Sequence, residues 1–285
     1  MASIKEFQRK IGSLRNSRKI TGSMKMISSI KLQKVAALAE KSATFRSTAR
    51  ALEGVLRHAD TTGYEPVING YRAVKNIEML LITGDRGLCG RFNANAINLF
   101  MREVAAHREK GQEIAMSAIG LRGAAFLKRR GFSCTHYTGI IGNPDWEKVR
   151  AAGTELFNRF IQGTTQELWV VYTRRKSSIS EEPCVERLLP YAIEDPGTAS
   201  VNYVCDVPKE FIRTTADLLT RARVFDAVIS SALAEHAARM SAMDNANSNC
   251  DRLIDKYTQL RNRARQAVIT TELNEIVTGK EALEA

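Results

Sequence analysis

A glycine-rich stretch is the first place in this sequence where phosphate chemistry could occur. Gly84, Gly87 and Gly90 follow an apolar run and precede a helical pattern, and a strand-to-helix turn of this kind presents backbone N–H groups to an anion. The spacing is G-x-x-G-x-x-G rather than G-x-G-x-x-G, and no Gly-Lys-Ser/Thr sequence follows. The stretch therefore lacks essential parts of the known phosphate-binding loops. We interpret the stretch as a structural turn, with a ligand site as the alternative.

Acid–base, nucleophilic and metal chemistry find equally little support. Asp85 and Arg86 could act as an acid and an electrophile, but no second carboxylate, nucleophile or histidine is linked to them by a recognisable spacing. The Gly-x-Ser-x-Gly and His-Glu-x-x-His signatures are absent. The five cysteines include no Cys-x-x-Cys pair, and the four histidines are dispersed. We predict that the chain has no catalytic site of its own and binds no metal or cofactor.

A group of arginines near the C-terminus is a third candidate. Arg261, Arg263 and Arg265, with Gln266 beside them, lie in a helical pattern whose acids come later. Guanidinium groups suit bidentate pairing with carboxylates or phosphates. Ordinary helix-surface charge explains the same residues, so the sequence leaves both interpretations open.

Positive charge is concentrated at the N-terminus. Residues 1–58 carry 13 Lys or Arg and three acids, which places nearly all of the net charge of +11 on this segment. Such a stripe attracts nucleic acid, anionic lipid or a carboxylate-lined protein surface, unless it is merely solvated. No apolar run approaches the roughly 20 residues that span a bilayer, and the N-terminus lacks the apolar core of a signal peptide.

The positions of the prolines predict very long helices at both ends. All six lie between Pro66 and Pro208. Apolar residues recur at steps of three and four in both terminal segments, which is coiled-coil periodicity. The N-terminal seam contains Ile4, Phe7, Ile11, Leu14, Ile20, Met24 and Ile27. The C-terminal seam contains Leu218, Ala222, Phe225, Ile229, Ala232, Met240, Met243, Cys250, Ile254, Tyr257 and Ala264, with the polar His236 and Asn247 among them. We predict that residues 1–60 and 208–285 pair.

Strand and helix patterns alternate between the two ends. Three apolar runs are typical of strands: Ile77–Thr83, Glu113–Ile119 and Glu167–Thr173. Helical patterns cover Asn93–Lys110, Leu121–Arg130 and Trp146–Ile161. This order predicts a mainly parallel sheet with helices on its faces, a Rossmann-like α/β domain over residues 70–207. Cys184–Ile193, flanked by prolines, suits an edge strand.

Three blocks of sequence carry a family resemblance. They are KITGSMKMISSIKLQK, ITGDRGLCGRFN, and AEHAARMSAMDNANSN followed by RARQAVITTELNEIVTG. The sequence resembles the gamma subunit of F-type ATP synthases, the central rotor shaft, over essentially its whole length. The resemblance implies an antiparallel coiled coil of the terminal helices inside a ring of three alpha and three beta subunits. The α/β foot domain would then contact an epsilon-type subunit and the membrane c ring. The shaft would couple ion flow mechanically to ATP synthesis or hydrolysis at the beta subunits.

The resemblance also implies roles for individual residues. Arg265 and Gln266 would contact loops of the beta subunits, with Arg263 close by. Met24 and Lys25 would face an acidic moving segment of the beta subunits, which gives the basic stripe a partner. Tyr203 and Asp206 would approach the c ring, although YVCDVPKE departs from the family pattern Tyr-Glu-Pro-Asp-Pro. Arg91 replaces the customary glycine of GLCGGFN.

A basic-helix nucleic-acid-binding protein is the alternative function. Only Phe7 and Phe45 could provide aromatic stacking on the basic segment, and binding would weaken steeply with salt. We favour the rotor subunit, whose partners exclude nucleic acid. Its expected location is peripheral, on the cytoplasmic side of a bacterial inner membrane, or on an organelle inner membrane after presequence removal.

Overall fold

The computed structural model describes residues 4–58, 65–175, 181–191 and 209–284. These residues form two compact units. The smaller unit comprises Met1–Ser28 and Met240–Ala285, and the larger comprises Ser29–Arg239. The domain boundaries at residues 60, 70 and 207 stay predictions.

Seven helices and five strands are present in the described ranges. The helices are α1 (Ile4–Lys41), α2 (Ala43–His58), α3 (Glu65–Asn69), α4 (Phe92–Glu109), α5 (Leu121–Arg129), α6 (Trp146–Ile161) and α7 (Lys209–Glu284). The strands are β1 (Asn76–Ile82), β2 (Glu113–Ile119), β3 (Thr135–Tyr137), β4 (Glu167–Arg175) and β5 (Glu181–Leu189). None of the helices in the described ranges is long and apolar enough to cross a membrane.

The larger unit contains one five-stranded sheet. Its strand order is β3-β2-β1-β4-β5. The first four strands are parallel to their neighbours, and β5 runs antiparallel to β4. The mainly parallel sheet and its additional edge strand are therefore confirmed. The three-residue β3 was not predicted from the sequence.

Helices cover both faces of this sheet. Leu80 and Ile82 of β1 point into a core that also contains residues of α6 and α7. Met79 and Leu81 point into a second core, formed with α4 and α5. Because both faces are covered, β1 is a nearly continuous apolar strand, as is usual for parallel strands. The one carboxylate within it, Glu78, is buried and accepts hydrogen bonds from Ser117 and from Arg159, the latter at 3.1 Å.

Helix α6 begins at a cap and approaches α7 closely. The side chain of Asp145 accepts a hydrogen bond from the backbone N–H of Glu147 at 3.0 Å, which satisfies one of the free donors at the helix start. In the middle of α6, a Cβ added to Gly153 would lie 3.2 Å from the Cα of Arg221. A glycine at this position therefore allows the two helix backbones to come together.

The smaller unit pairs α1 with α7 in antiparallel orientation. Arg18 bonds Asp251 at 2.7 Å, Thr21 bonds Asn247 at 3.3 Å, and Lys25 bonds Asp244 at 2.6 Å. The partner numbers fall as the α1 numbers rise, which confirms the predicted antiparallel coiled coil. The buried seam includes Ile11, Met243 and Cys250.

One detail of the N-terminal prediction is wrong. Ile20 and Ile27, predicted for the seam, are 61% and 55% exposed. The polar side chains of Thr21 and Lys25 face α7 here instead, so the contact face is displaced by about one position. The N-terminal segment is also divided at Ser42 between α1 and α2, where the Ser42 hydroxyl donates to the Leu38 carbonyl at 2.8 Å.

Candidate partner-binding surfaces

The predicted arginine site lies on an exposed part of α7. Arg263, Arg265 and Gln266 are all exposed, and within the described ranges neither arginine has an ion pair. The Gln266 carbonyl accepts a hydrogen bond from the Thr270 hydroxyl at 2.9 Å. The two guanidinium groups are therefore available to a carboxylate or phosphate supplied by another molecule.

A face of exposed apolar side chains continues beyond these arginines. Ile269, Leu273 and Ile276 recur at steps of four and three, so they share one side of the helix. Val268 and Val277 lie beside them, and all five are exposed. This face was not predicted from the sequence, because the predicted C-terminal seam ends at Ala264. Contiguous apolar exposure of this kind marks a surface that a partner covers.

Met24 and Lys25 lie on α1 in the smaller unit. Lys25 Nζ is 2.6 Å from Asp244 Oδ1, and both side chains are about half exposed. Met24 is half-buried. An exposed ion pair of this kind contributes about 0–1 kcal/mol, so Lys25 can exchange Asp244 for another carboxylate at little cost. Tyr203 and Asp206, predicted to approach a c ring, lie outside the described residues.

Side chains of the same chain occupy the glycine-rich turn. The backbone N–H of Gly84 donates to Asn93 Oδ1 at 2.8 Å, and Arg239 Nε donates to the Gly87 carbonyl at 3.3 Å. A Cβ added to Gly84 would lie 2.7 Å from Glu235 Oε1. The glycines allow α4 and α7 to approach the turn, which agrees with its interpretation as structural.

A buried charged pair lies on α7 beside this turn. Arg239 Nη2 is 2.5 Å from Glu235 Oε1, and both side chains are buried. Burial raises the pKa of Glu235, although Arg239 opposes this effect. Burial also lowers the pKa of the neighbouring His236 to about 4, assisted by the charges of Arg239 and Lys31. His236 is consequently neutral near pH 7.

The described parts of the chain contain no candidate metal site. No cluster of three or more His, Cys, Asp or Glu side chains there could hold a metal ion. The chemistry that these surfaces offer is recognition: guanidinium groups for anions, and an apolar helix face for a hydrophobic surface.

Comparison with known proteins identifies the family. A family model described as ATP synthase matches residues 3–283. The ATP synthase gamma chain of Moorella thermoacetica is 35% identical over 285 residues, covering 99% of this chain and all of that relative. That of Anaeromyxobacter dehalogenans is 35% identical over 294 residues, with 99% of this chain and 100% of the relative covered.

Solved structures share the fold. A chain of the Euglena gracilis mitochondrial ATP synthase OSCP/F1/c-ring assembly in rotational state 3 has a TM-score of 0.69 and 16% identity, covering 99% of this chain and 95% of that one. A chain of the Tetrahymena thermophila central stalk and c-ring has a TM-score of 0.59 and 20% identity, covering 80% and 99%. This chain, an α/β domain with long terminal helices, thus shares its fold with both of these chains. The chain belongs to the ATP synthase gamma chain family.

Proposed function

We infer that this chain is the central-stalk rotor subunit of an F-type ATP synthase, which couples ion flow through a membrane ring mechanically to ATP synthesis or hydrolysis. Full-length membership of the gamma chain family carries the inference. The exposed end of α7 supports it, because arginines followed by an apolar face suit a helix surrounded by other subunits. No observation on the described residues favours the nucleic-acid alternative.

The contact with the beta subunits is assigned to two places on the smaller unit. Arg263, Arg265 and Gln266 on α7 bind acidic or polar loops of the beta subunits, and the apolar face beyond them is covered by the alpha-beta hexamer. Met24 and Lys25 on α1 meet the acidic moving segment. Exposed guanidinium groups and a weakly held lysine support these assignments.

The remaining partners follow from the same role. The α/β foot domain contacts an epsilon-type subunit and the c ring, the latter through the segment that contains Tyr203 and Asp206. Two of the matched structures come from assemblies that include a c-ring. ATP chemistry belongs to the beta subunits, and this chain contributes no catalytic residue. Its location is peripheral, on the side of the membrane that carries the hexamer, which in a bacterium is the cytoplasmic side.

Replacing Arg265 with alanine tests the beta-subunit contact. We expect ATP synthesis by the complex in ion-tight vesicles to fall by about tenfold, the factor that loss of one hydrogen bond to a charged group produces. Because Arg265 is exposed and has no ion pair within the described residues, the thermal stability of the purified chain should not change. Synthesis should be measured by luminescence under an imposed ion gradient.

Arg252→Ala is the matched control. Arg252 is also exposed on α7, and among the described residues its side chain bonds Asn249, one turn away. If Arg265→Ala and Arg252→Ala synthesise ATP equally well, the assignment of Arg265 is wrong. Failure of the unmodified chain to copurify with an alpha-beta hexamer and a c ring would contradict the rotor function itself.

A further inference from the structure

Within the larger unit, α7 is tied to the α/β domain by polar contacts as well as apolar ones. The first tie involves Tyr191, just after β5. Its hydroxyl lies 2.9 Å from the Ala216 carbonyl and 2.9 Å from the Thr220 hydroxyl, and all of these groups are buried. The Thr220 hydroxyl also donates to the Ala216 carbonyl at 2.9 Å, so the three groups form one small network.

The second tie is ionic and involves β5. Arg223 Nη2 donates to Glu186 Oε1 at 2.7 Å. Its Nη1 donates to the Leu188 carbonyl at 3.2 Å, and Nη2 also reaches the Arg187 carbonyl at 3.2 Å. One guanidinium group therefore holds both the backbone and a side chain of the edge strand.

Two more ties lie further along α7, at Ser231 and Arg239. The backbone N–H of Thr173 in β4 donates to the hydroxyl of Ser231 at 3.1 Å, in a fully buried position. Arg239 Nε then donates to the carbonyl of Gly87 in the glycine-rich turn at 3.3 Å. Arg239 is held in place by Glu235, 2.5 Å away on the same helix.

The four α7 residues lie along one side of the helix. Thr220, Arg223, Ser231 and Arg239 fall within about half of the helix circumference and extend about 28 Å along its axis. Between them, α7 presents many small side chains to the core, including Ala222, Ala227 and Ala232. Apolar contacts are non-directional, and packed helices can shift past one another in small shear movements. Hydrogen bonds depend on distance and angle, so they resist such movement.

We propose that these four ties form a polar key, which fixes the α/β domain to α7 in one register and carries torque between them. The polar key consists of Thr220, Arg223, Ser231 and Arg239 with their partners Tyr191, Glu186, Thr173 and Gly87. The proposal rests on the rotor function and goes beyond it, since it concerns load transfer inside the chain. The key residues act as positioning residues and touch no nucleotide.

The decisive variant combines Arg223→Gln with Ser231→Ala in the assembled complex reconstituted into vesicles. It removes the ionic tie to β5 and leaves the Thr173 N–H without its acceptor. We expect ATP hydrolysis without a gradient to stay unchanged. The number of ions pumped per ATP against a steep gradient should fall below that of the unmodified complex, because ATP is hydrolysed while the load is no longer fully transferred. The loss should grow as the opposing gradient is raised.

Arg102→Gln is the matched control. Arg102 forms an exposed ion pair with Glu103 on α4, at 3.7 Å, so the variant loses a charge on the larger unit but no key contact. If the double variant pumps as efficiently as Arg102→Gln at the steepest gradient, the polar key is refuted. A merely structural role would lower pumping by the same factor at all gradients, and that outcome would also refute the proposal.

Milder variants keep the test decisive if the double variant does not assemble. Tyr191→Phe removes only one hydroxyl, and Arg239→Lys keeps the charge beside Glu235 while it loses the bond to the Gly87 carbonyl. Each should show a smaller loss that also depends on the gradient, and normal pumping by both refutes the key. Failure of the unmodified complex to pump would instead contradict the proposed rotor function.

Discussion

The same helix, α7, is built differently in its two units. In the larger unit its residues are buried on most sides, as Ile229 illustrates with an exposure of 1%. Near the C-terminal end of α7, in the smaller unit, Ile269 is 49% exposed, and the apolar residues that follow it are exposed as well. The contrast teaches that contacts inside the chain explain the sequence of one part of the helix, and contacts outside the chain must explain the other.

Charged residues follow the same division. In the larger unit, Glu235 and Arg239 are buried and bound to each other. In the smaller unit, the pairs Arg18–Asp251 and Lys25–Asp244 are about half exposed. Removing one member of a buried pair is far more destabilising than removing one of an exposed pair. The larger unit therefore depends on its polar contacts, while the smaller one can exchange them with a partner.

Replacing Ile229 or Ile269 with aspartate should give the largest difference in stability between the two parts of α7. We expect Ile229→Asp to lower the free energy of unfolding by about 4 kcal/mol or more, because it buries a charge without a partner. Ile269→Asp should change it by less than about 0.5 kcal/mol but weaken the proposed contact with the alpha-beta hexamer. Chemical unfolding and copurification measure the two effects. Equal stability losses at both positions would contradict the comparison.

Acid should weaken the larger unit through His236. Its folded pKa of about 4 is below the unfolded value of 6.5, so between these values the unfolded chain binds a proton that the folded chain does not. The free energy of unfolding should therefore fall as the pH falls through this window, by about 3 kcal/mol in total. Urea unfolding at pH 7, 6, 5 and 4 measures the change.

The neighbouring Glu235 requires a control, because its raised pKa acts with the opposite sign. In His236→Gln this carboxyl is retained and the imidazole is lost. The stability difference between the original chain and the variant should therefore decrease by about 3 kcal/mol from pH 7 to pH 4. A difference that does not depend on pH would show that His236 does not titrate as described.

Two glycines inside helices should respond in opposite ways, with the smallest effects. Apart from its chain neighbours and its own helix backbone, no described atom lies within 4 Å of the position of a Cβ on Gly12, so Gly12→Ala should stabilise the smaller unit by about 0.5–1 kcal/mol. At Gly153 the added methyl would approach the backbone of Arg221, and Gly153→Ala should destabilise the larger unit by about 1 kcal/mol or more. Thermal unfolding of both variants decides the matter; a loss of stability in Gly12→Ala would contradict the open surroundings.

Most of the regular elements could be predicted from the sequence. The strands that contain Met79, Met116 and Trp169 are apolar runs of the usual length, and α6 has a cap at Asp145. Local pattern predicts such elements because their apolar residues recur with the period of the strand or helix that buries them. The prediction that Ile20 and Ile27 lie in the seam was wrong because the apolar pattern there is weak. Polar pairs with α7 select the contact face instead.

The candidate sites also differ in how far the sequence could predict them. Arg265 and Gln266 were identified by resemblance, and their exposure agrees with a role in binding. The apolar face at Ile269, Leu273 and Ile276 carried a visible period of three and four, but its exposure could not be known without the structure. The ties of Arg223 and Ser231 to the sheet have no local signature, because their partners are 37 and 58 positions away in the sequence.

The sequence by itself determined the long terminal helices, the alternating strands and helices between them, and the family. Proline positions, apolar periods and matching blocks are local properties that do not depend on distant contacts. Only the tertiary structure decided which side of α1 faces α7, what fills the glycine-rich turn, and where α7 is held by hydrogen bonds. These features depend on distances between residues far apart in the chain, and directional bonds form only where folding brings a donor to an acceptor.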